Sequence, residues 1–188
     1  MSIDLDSLHF IPARQYRVGP RGRAVSHVVV HTAECSESKG SARAVAGYFS
    51  TLTRPASAHL VIDSEDVIQC VHFDDVAFAA PPLNEHGVHI ELCGRASQTA
   101  EQWNDPFSVA QLGLAADVVA ALCVRYSLPV TYCDAGALVA GSRGITGHRE
   151  VSRAWKKSDH TDPGASFPWA PWLVMVAQHV LDLGGSVT

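Results

Sequence analysis

The chain lacks an excess of positive charge and lacks long hydrophobic runs. It carries 14 Lys and Arg against 19 Asp and Glu, a formal net charge of −5 at pH 7. Proteins that hold nucleic acid neutralise phosphates with a basic surface, so this balance predicts no nucleic-acid partner. No apolar run approaches the roughly 18 residues of a membrane-spanning helix. We therefore expect no membrane span.

Cysteine is sparse and follows no pattern. The five cysteines are far apart, form no CxxC motif and are odd in number. This predicts no disulfide framework and synthesis in a reducing compartment. The first residues are acidic, where a signal peptide would be basic and then apolar. We expect synthesis in the cytoplasm without a signal peptide.

The composition present is that of an ordinary globular protein. The 188 residues are 47% hydrophobic and 18% charged, which suits one domain with a substantial core. There are no repeats, low-complexity tracts or linkers. We expect a single monomeric domain over residues 1–188, with residues 1–24 as an irregular N-terminal arm interrupted by proline and glycine.

Hydrophobic patterning predicts five strands. Residues 25–31 are a nearly continuous apolar, β-branched run, which is typical of a strand buried on both faces. The two-residue period of a strand places His27, Val29 and His31 on one face. Further strands are predicted at 57–62, 67–71, 87–93 and 145–148. In the fourth of these five, His89, Glu91 and Cys93 share a face.

Helical spacing predicts three helices, at 41–52, 108–126 and 169–183. Ser108 is the expected N-cap of the long central helix. Residues 128–143 show no clear pattern and are expected to be mostly loop. The order of elements predicts an α/β fold, a single domain with a mixed β-sheet and helices packed against it.

A polar segment punctuated by glycine and proline contains Gly147-His148-Arg149-Glu150 and, further on, residues 160–164. Zinc used for hydrolysis needs three nitrogen or oxygen ligands and one open position. The segment can supply two, and His31 at the end of the strongest strand is the candidate third. Against this, a histidine in a strand is more often structural than a ligand. Cys93 could be a nucleophile or ligand, or simply a small buried side chain.

Five short motifs occur in order: His31-Thr32-Ala33, Ser57-Ala58-His59, Ile90-Glu91-Leu92, Gly147-His148-Arg149 and Thr161-Asp162-Pro163-Gly164. Together they resemble the zinc-dependent N-acetylmuramoyl-L-alanine amidase family. This family includes phage lysozyme-type amidases, muropeptide-recycling amidases and animal peptidoglycan recognition proteins. The resemblance covers about residues 24–182 and implies the fold of those proteins.

The resemblance also implies a site. It places one zinc ion per chain on His31, His148 and Asp162 and gives Glu91 the acid/base role of the recycling-type members. Another subgroup uses a tyrosine one residue before the histidine that matches His59. This chain has an alanine there, so the glutamate arrangement fits better.

Two departures from the family pattern stand out. His160 occupies the position where the family usually has a lysine that stabilises the oxyanion. An ordinary histidine loses its charge near about pH 6.5, so a cation is not guaranteed there. The loop that commonly reads Trp-His-Ala-Gly reads Phe78-Ala79-Ala80-Pro81 here, which removes or moves a substrate contact.

The activity implied is hydrolysis of the amide between N-acetylmuramic acid and L-alanine in peptidoglycan. We expect a phage endolysin that reaches the cell wall through a phage-made pore. The alternatives are a cytoplasmic muropeptide-recycling amidase, a non-catalytic peptidoglycan-binding module and a structural zinc domain. Three tryptophans could line a sugar-binding groove or pack in the core: Trp155, Trp169 and Trp172.

Overall fold

The computed structural model describes residues 3–19 and 21–188, and its centre is a six-stranded mixed sheet. The strands are β1 (His9–Phe10), β2 (Tyr16–Arg17), β3 (His27–Thr32), β4 (Leu60–Ile62), β5 (Val67–Gln69), β6 (Val76–Ala77), β7 (Gly87–Leu92) and β8 (Gly144–Gly147). The α-helices are α1 (Ser41–Thr51), α2 (Pro106–Tyr126), α3 (Ala135–Val139), α4 (His148–Trp155) and α5 (Trp169–Asp182). The α/β fold class predicted from the sequence is confirmed.

The sheet has the order β1-β5-β4-β7-β3-β8, and β2 pairs with β6 in a small antiparallel sheet of its own. Strand β3 lies between β7 and β8 and runs parallel to both. Strand β4 is parallel to β7 and antiparallel to β5. Four parallel strands, β3, β4, β7 and β8, therefore end at the same edge of the sheet, and their last residues lie side by side.

The main hydrophobic core fills the space between one face of the sheet and helices α2 and α5. Val28, Val30 and Ile90 point into it and are fully buried. All six residues of β3 are buried, as expected for an inner parallel strand. The apolar run at residues 25–31 thus forms the strand that its composition predicts.

Helix α2 corrects the expectation that no segment is long and apolar enough to cross a membrane. It has 21 residues and a mean hydropathy of 1.9 over its most apolar window. More than half of that window (56%) is buried in the fold, against the sheet and α5. The core helix of a globular protein can be as long and as apolar as a membrane-spanning helix. The length and composition of α2 are therefore only weak evidence for a membrane span.

The start of α2 also differs from the prediction. Asp105, not Ser108, is the N-cap: its carboxylate accepts a hydrogen bond of 2.8 Å from the backbone N–H of Ser108. Pro106 occupies the first turn, where its missing N–H costs nothing. The Asp-Pro pair is a start signal that the apolar periodicity alone does not include.

Two helices occur where the sequence predicts none. Residues 135–139 form α3, capped by Asp134, and residues 148–155 form α4. Helix α4 begins directly after β8 at Gly147, which has no side chain to act as a cap. Short helices of this kind depend on tertiary packing more than on propensity, which explains why local sequence did not reveal them.

The N-terminal arm is partly ordered as sheet. β1 pairs with β5 and forms the edge of the sheet, and the chain continues alongside β5: Ile11 N–H donates to Gln69 O at 2.9 Å and Ala13 N–H donates to Cys70 O at 2.8 Å. Residues 1, 2 and 20 of the predicted arm lie outside the described residues. All five cysteines are free.

Candidate active site

The candidate site lies where the parallel strands β3, β7 and β8 end. Open α/β sheets generally place their ligands beyond the carboxyl ends of such strands. His31 near the end of β3 is in register with Glu91 near the end of β7. His148, the first residue of α4, follows the last residue of β8. Chain topology thus brings three predicted site residues together from distant parts of the sequence.

Asp162 joins them from the segment that follows α4. Its Oδ2 lies 3.0 Å from His31 Nδ1, and its Oδ1 lies 3.4 Å from His148 Nδ1. All three side chains are buried. One ligand atom from each residue lies within 4.8 Å of the other two. The structure therefore brings His31, His148 and Asp162 together as one cluster.

The backbone around Asp162 explains how that segment reaches the cluster. The Asp162 carbonyl accepts a hydrogen bond of 2.8 Å from Arg149 N–H in the first turn of α4. A Cβ on Gly147 would lie 2.7 Å from Pro163 Cδ. Gly164 has φ of +97°, and a Cβ there would lie 2.0 Å from the carbonyl oxygen of Ala96. Glycine at 147 and 164 therefore allows the close approach that places the carboxylate.

The charges in the cluster compensate one another. Burial alone would raise the pKa of Asp162, but hydrogen bonds with His148 and His31 hold it well below its ordinary value. Burial acts to lower the pKa of His31, yet the hydrogen bond to Asp162 and the nearby Glu91 leave it raised. Burial lowers the pKa of His148 despite its contact with Asp162. Asp162 is thus a carboxylate at neutral pH.

The donor set fits a zinc ion. Ligand atoms about 2.1 Å from a tetrahedral zinc lie about 3.4 Å from one another. The Nδ1-to-carboxylate separations of 3.0 and 3.4 Å match that spacing. Two imidazoles and one carboxylate are also the ligand types of a hydrolytic zinc site. His31, His148 and Asp162 all line the groove described below, so the open side of the cluster faces it.

Glu91 lies beside the cluster and also lines the groove. Burial raises the pKa of its carboxyl to about 7, against the opposing effect of His31. Its Oε2 is buried and has no hydrogen-bond partner in the described part of the chain. A carboxyl with a pKa near neutrality can both accept and donate a proton at physiological pH.

His160 lies at the entrance of the cluster. Its ring stacks on that of His148, with centroids 4.1 Å apart, and its Nδ1 is 3.2 Å from Asp162 Oδ1. The side chain is 57% exposed, whereas the three residues of the cluster are buried. His160 is therefore accessible from the groove, as the position of an oxyanion-stabilising residue requires.

The groove has a volume of about 780 Å³. One wall is formed by Phe78, Ala79 and Pro81, and Asn84 supports this loop by accepting hydrogen bonds from the N–H groups of Ala79 and Ala80. Tyr48 and Arg54 also line the groove. The loop that departs from the family pattern thus still borders the groove, with smaller and less polar side chains.

Two sequence-based alternatives find no support in the groove. Among the described residues that line it there is no tryptophan: Trp172 is buried and donates its Nε1–H to Leu112 O, and Trp155 and Trp169 pack against apolar clusters. Cys93 is fully buried, and contact with Cys35 together with burial raises its thiol pKa. It is therefore a core residue, not a nucleophile.

Sequence reasoning missed the residues behind the cluster. His31 Nε2 lies 3.2 Å from His89 Nδ1, and His148 Nε2 lies 3.3 Å from Ser158 Oγ. His89 is fully buried, and burial followed by the positive charge of neighbouring groups keeps its pKa well below its ordinary value. The alternation of β7 places His89 on the face of Glu91, but only the pairing with β3 shows which residue it meets.

Comparison with solved structures shows the same fold in several proteins. Staphylococcus aureus hydrolase AmiA, solved in complex with its ligand, superposes with a TM-score of 0.69 at 15% identity, covering 98% of this chain and 88% of AmiA. Citrobacter freundii AmpD gives 0.57 at 24% identity, covering 95% and 96%. The catalytic domain of XlyA gives 0.61 at 14% identity, covering 90% and 99%. No curated protein matches the chain in sequence.

The sequence profile of a family matches most of the chain. The profile described as N-acetylmuramoyl-L-alanine amidase aligns with residues 21–165, which contain all the clustered residues and Glu91. The resemblance inferred from short motifs is therefore confirmed. The chain belongs to the N-acetylmuramoyl-L-alanine amidase family.

Proposed function

We propose that this protein is a zinc-dependent amidase that hydrolyses the bond between N-acetylmuramic acid and L-alanine in peptidoglycan. The observation that carries the proposal is the buried cluster of His31, His148 and Asp162, open to a groove in which Glu91 lies beside it. Membership in the N-acetylmuramoyl-L-alanine amidase family indicates which bond is hydrolysed. A non-catalytic binding module would not need three complete ligand positions and a carboxyl of raised pKa.

His31, His148 and Asp162 would hold the zinc ion. When bound, zinc supplies Lewis acidity that polarises a carbonyl and makes water a better nucleophile near neutral pH. Asp162 balances part of the positive charge. The histidines must present unprotonated nitrogens to a metal, and burial, which disfavours the imidazolium form, favours this at His148.

Glu91 is the proposed general base and acid. Its carboxylate takes a proton from the attacking water and later gives it to the departing nitrogen of L-alanine. A pKa of about 7 lets one group carry out both transfers. His160 lies on the exposed side of the cluster, where a donated N–H or a positive charge can stabilise the oxyanion that develops on the substrate carbonyl.

For the biological role we propose a phage endolysin that acts on intact cell wall after release through a phage-made pore. A cytoplasmic muropeptide-recycling amidase is the second candidate. It is favoured by the acid/base glutamate at position 91, which is the arrangement of the recycling-type members. The two roles differ in substrate size: an endolysin must bind a polymer, whereas a recycling enzyme acts on soluble fragments.

The test is an assay of purified protein on intact cell walls and, in parallel, on soluble anhydro-muropeptides. Amidase action releases new amino groups of L-alanine without new reducing sugar ends. Chelation should abolish the release and added zinc should restore it. Release from soluble fragments alone would assign the recycling role. Binding to cell walls without any release of amino groups would overturn the proposed amidase activity and favour a recognition module.

A further inference from the structure

One buried histidine of the polar face is not used by the proposed reaction. His89 is fully buried in β7, and its Nδ1 lies 3.2 Å from His31 Nε2. The distance is that of a hydrogen bond. His31 itself is only 2% exposed, so water cannot replace this contact.

With a metal on Nδ1 of His31, this contact would determine which ring nitrogens carry hydrogens. The other nitrogen of His31, Nδ1, faces Asp162 and His148, and it must be bare to bind a metal. The hydrogen of a neutral His31 is then on Nε2 and points at His89. His89 Nδ1 must accept it, so the hydrogen of His89 is on its own Nε2.

That second hydrogen has no acceptor. His89 Nε2 is buried and without a hydrogen-bond partner in the described ranges 3–19 and 21–188. It lies against Gly87, where a Cβ would be only 2.9 Å away, so a side chain at residue 87 would crowd it. A buried N–H without a partner destabilises a fold. Packing alone therefore does not explain a histidine at this position, since leucine would fill the space without a stranded N–H.

We propose that His89 is a positioning residue that accepts a hydrogen bond from His31 Nε2–H and so holds His31 in the tautomer and orientation that present Nδ1 to the metal. Outer-shell partners of this kind orient ligand histidines and raise their basicity, and their loss typically weakens metal binding about 10- to 100-fold. The inference rests on the proposed function, because it assigns a role relative to zinc on His31.

Two variants separate the hydrogen bond from the packing. In His89→Asn the side-chain oxygen is as many bonds from Cα as Nδ1 is in histidine, so an acceptor is retained. His89→Leu has the same branched shape without an acceptor, and both variants lose the ring and its stacking on His59, whose centroid is 5.7 Å away. The pair therefore has the same shape and differs in the acceptor and in the amide NH2 group of asparagine.

Zinc affinity, measured by competition with a chromophoric chelator, is the readout. We expect His89→Leu to bind zinc about 10- to 100-fold more weakly than wild type and His89→Asn to stay within about threefold of it. Equal weakening in both variants, or in neither, would overturn the role of the hydrogen bond. Wild-type protein that fails to bind zinc would instead overturn the proposed function itself.

Nitrogen NMR of the wild-type protein tests the tautomer without any substitution. In the zinc-loaded protein His31 should carry its hydrogen on Nε2, and His89 should carry its own on Nε2 as well. A hydrogen on Nδ1 of His89 would overturn the proposal even if the leucine variant fails to fold. Thermal unfolding of the metal-free variants checks that any loss of affinity is not a loss of fold.

Discussion

The two faces of strands β3 and β7 show opposite chemistry on the same backbone. One face carries Val28, Val30 and Ile90, fully buried against α2 and α5. The other carries His31, His89 and Glu91, with the Nε2 of His89 and the Oε2 of Glu91 unpaired within the described residues.

The difference shows where stability is gained and where it is given up. Burying a large aliphatic side chain contributes about 1.5–3 kcal/mol, whereas an unpaired buried polar group costs about 1–3 kcal/mol. Burial of the apolar face therefore offsets the free-energy cost of the unpaired polar groups on the other face. Substitutions on the polar face should change metal binding and turnover, and those on the apolar face should change the free energy of unfolding.

His31→Ala should have the largest effect. Removing one of three metal-facing residues is expected to abolish both zinc binding and amidase activity. The matched control is Val30→Ala on the opposite face of β3, which should keep one zinc per chain. Metal analysis of both purified variants checks this, and stoichiometric zinc in His31→Ala would contradict the assignment of the site.

Glu91→Gln should come next. The amide keeps the shape of the side chain but cannot accept the proton, so turnover should fall by about 10² to 10⁴. Zinc content should stay near that of wild type. Steady-state rates on a soluble muropeptide measure the effect. Near-normal turnover would move the acid/base role to another residue.

Ile90→Ala tests the apolar neighbour of Glu91 in the same strand. A fully buried isoleucine replaced by alanine should lower the free energy of unfolding by about 2–5 kcal/mol. Zinc stoichiometry and turnover should be retained well below the unfolding temperature. Urea unfolding and a rate measurement at low temperature give the two quantities. A large loss of turnover without loss of stability would show that the faces are not separable.

The free-energy cost of burying Glu91 on the polar face should depend on pH. The pKa of Glu91 is raised from 4.5 to about 7 by burial, so the folded state holds this proton more tightly than the unfolded state does. Stability of the metal-free protein should therefore fall as pH rises from about 4.5 to 7, by at most about 3 kcal/mol. Glu91→Gln should remove that fall. The measurement is the free energy of unfolding of both metal-free proteins at each pH. The same pH dependence in wild type and in Glu91→Gln would contradict the prediction.

His160→Lys should have the smallest effect. A lysine stays charged across neutral pH, whereas a histidine of ordinary pKa does not. If charge at residue 160 stabilises the oxyanion, the lysine variant should extend activity to higher pH, and His160→Ala should lower turnover at every pH. Superimposable pH–rate profiles of wild type and the lysine variant would assign His160 the role of a neutral donor.

Much of the strand arrangement could be predicted because the spacing of apolar residues along the chain indicates it. The run at residues 25–31 predicts β3, and the alternation in β7 puts His89 and Glu91 on one face. The short helix α4 could not be predicted in this way, because its polar first turn and uncapped start resemble a loop. The resemblance to a family indicated the candidate ligands, which motif spacing alone left incomplete.

The contacts around the cluster depend on strand order and register, which local patterns do not encode. The 3.2 Å contact between His31 and His89 arises from the parallel pairing of β3 with β7. The pairing of β1 with β5 is equally long-range. Ser158 could have been noticed as a polar neighbour in sequence, but nothing there indicates that it meets His148 Nε2.

The separation of His31 and Asp162 by 131 positions has a consequence for folding. The two residues meet only when β3 is paired within the sheet and the segment after α4 has docked on it. A zinc ion at the proposed site would therefore bind the complete fold and not the unfolded chain. By linkage, zinc at 1,000 times its dissociation constant would add about 4 kcal/mol to the stability of the whole domain. Zinc depletion should thus increase global, cooperative unfolding, with greater sensitivity to proteases along the whole chain.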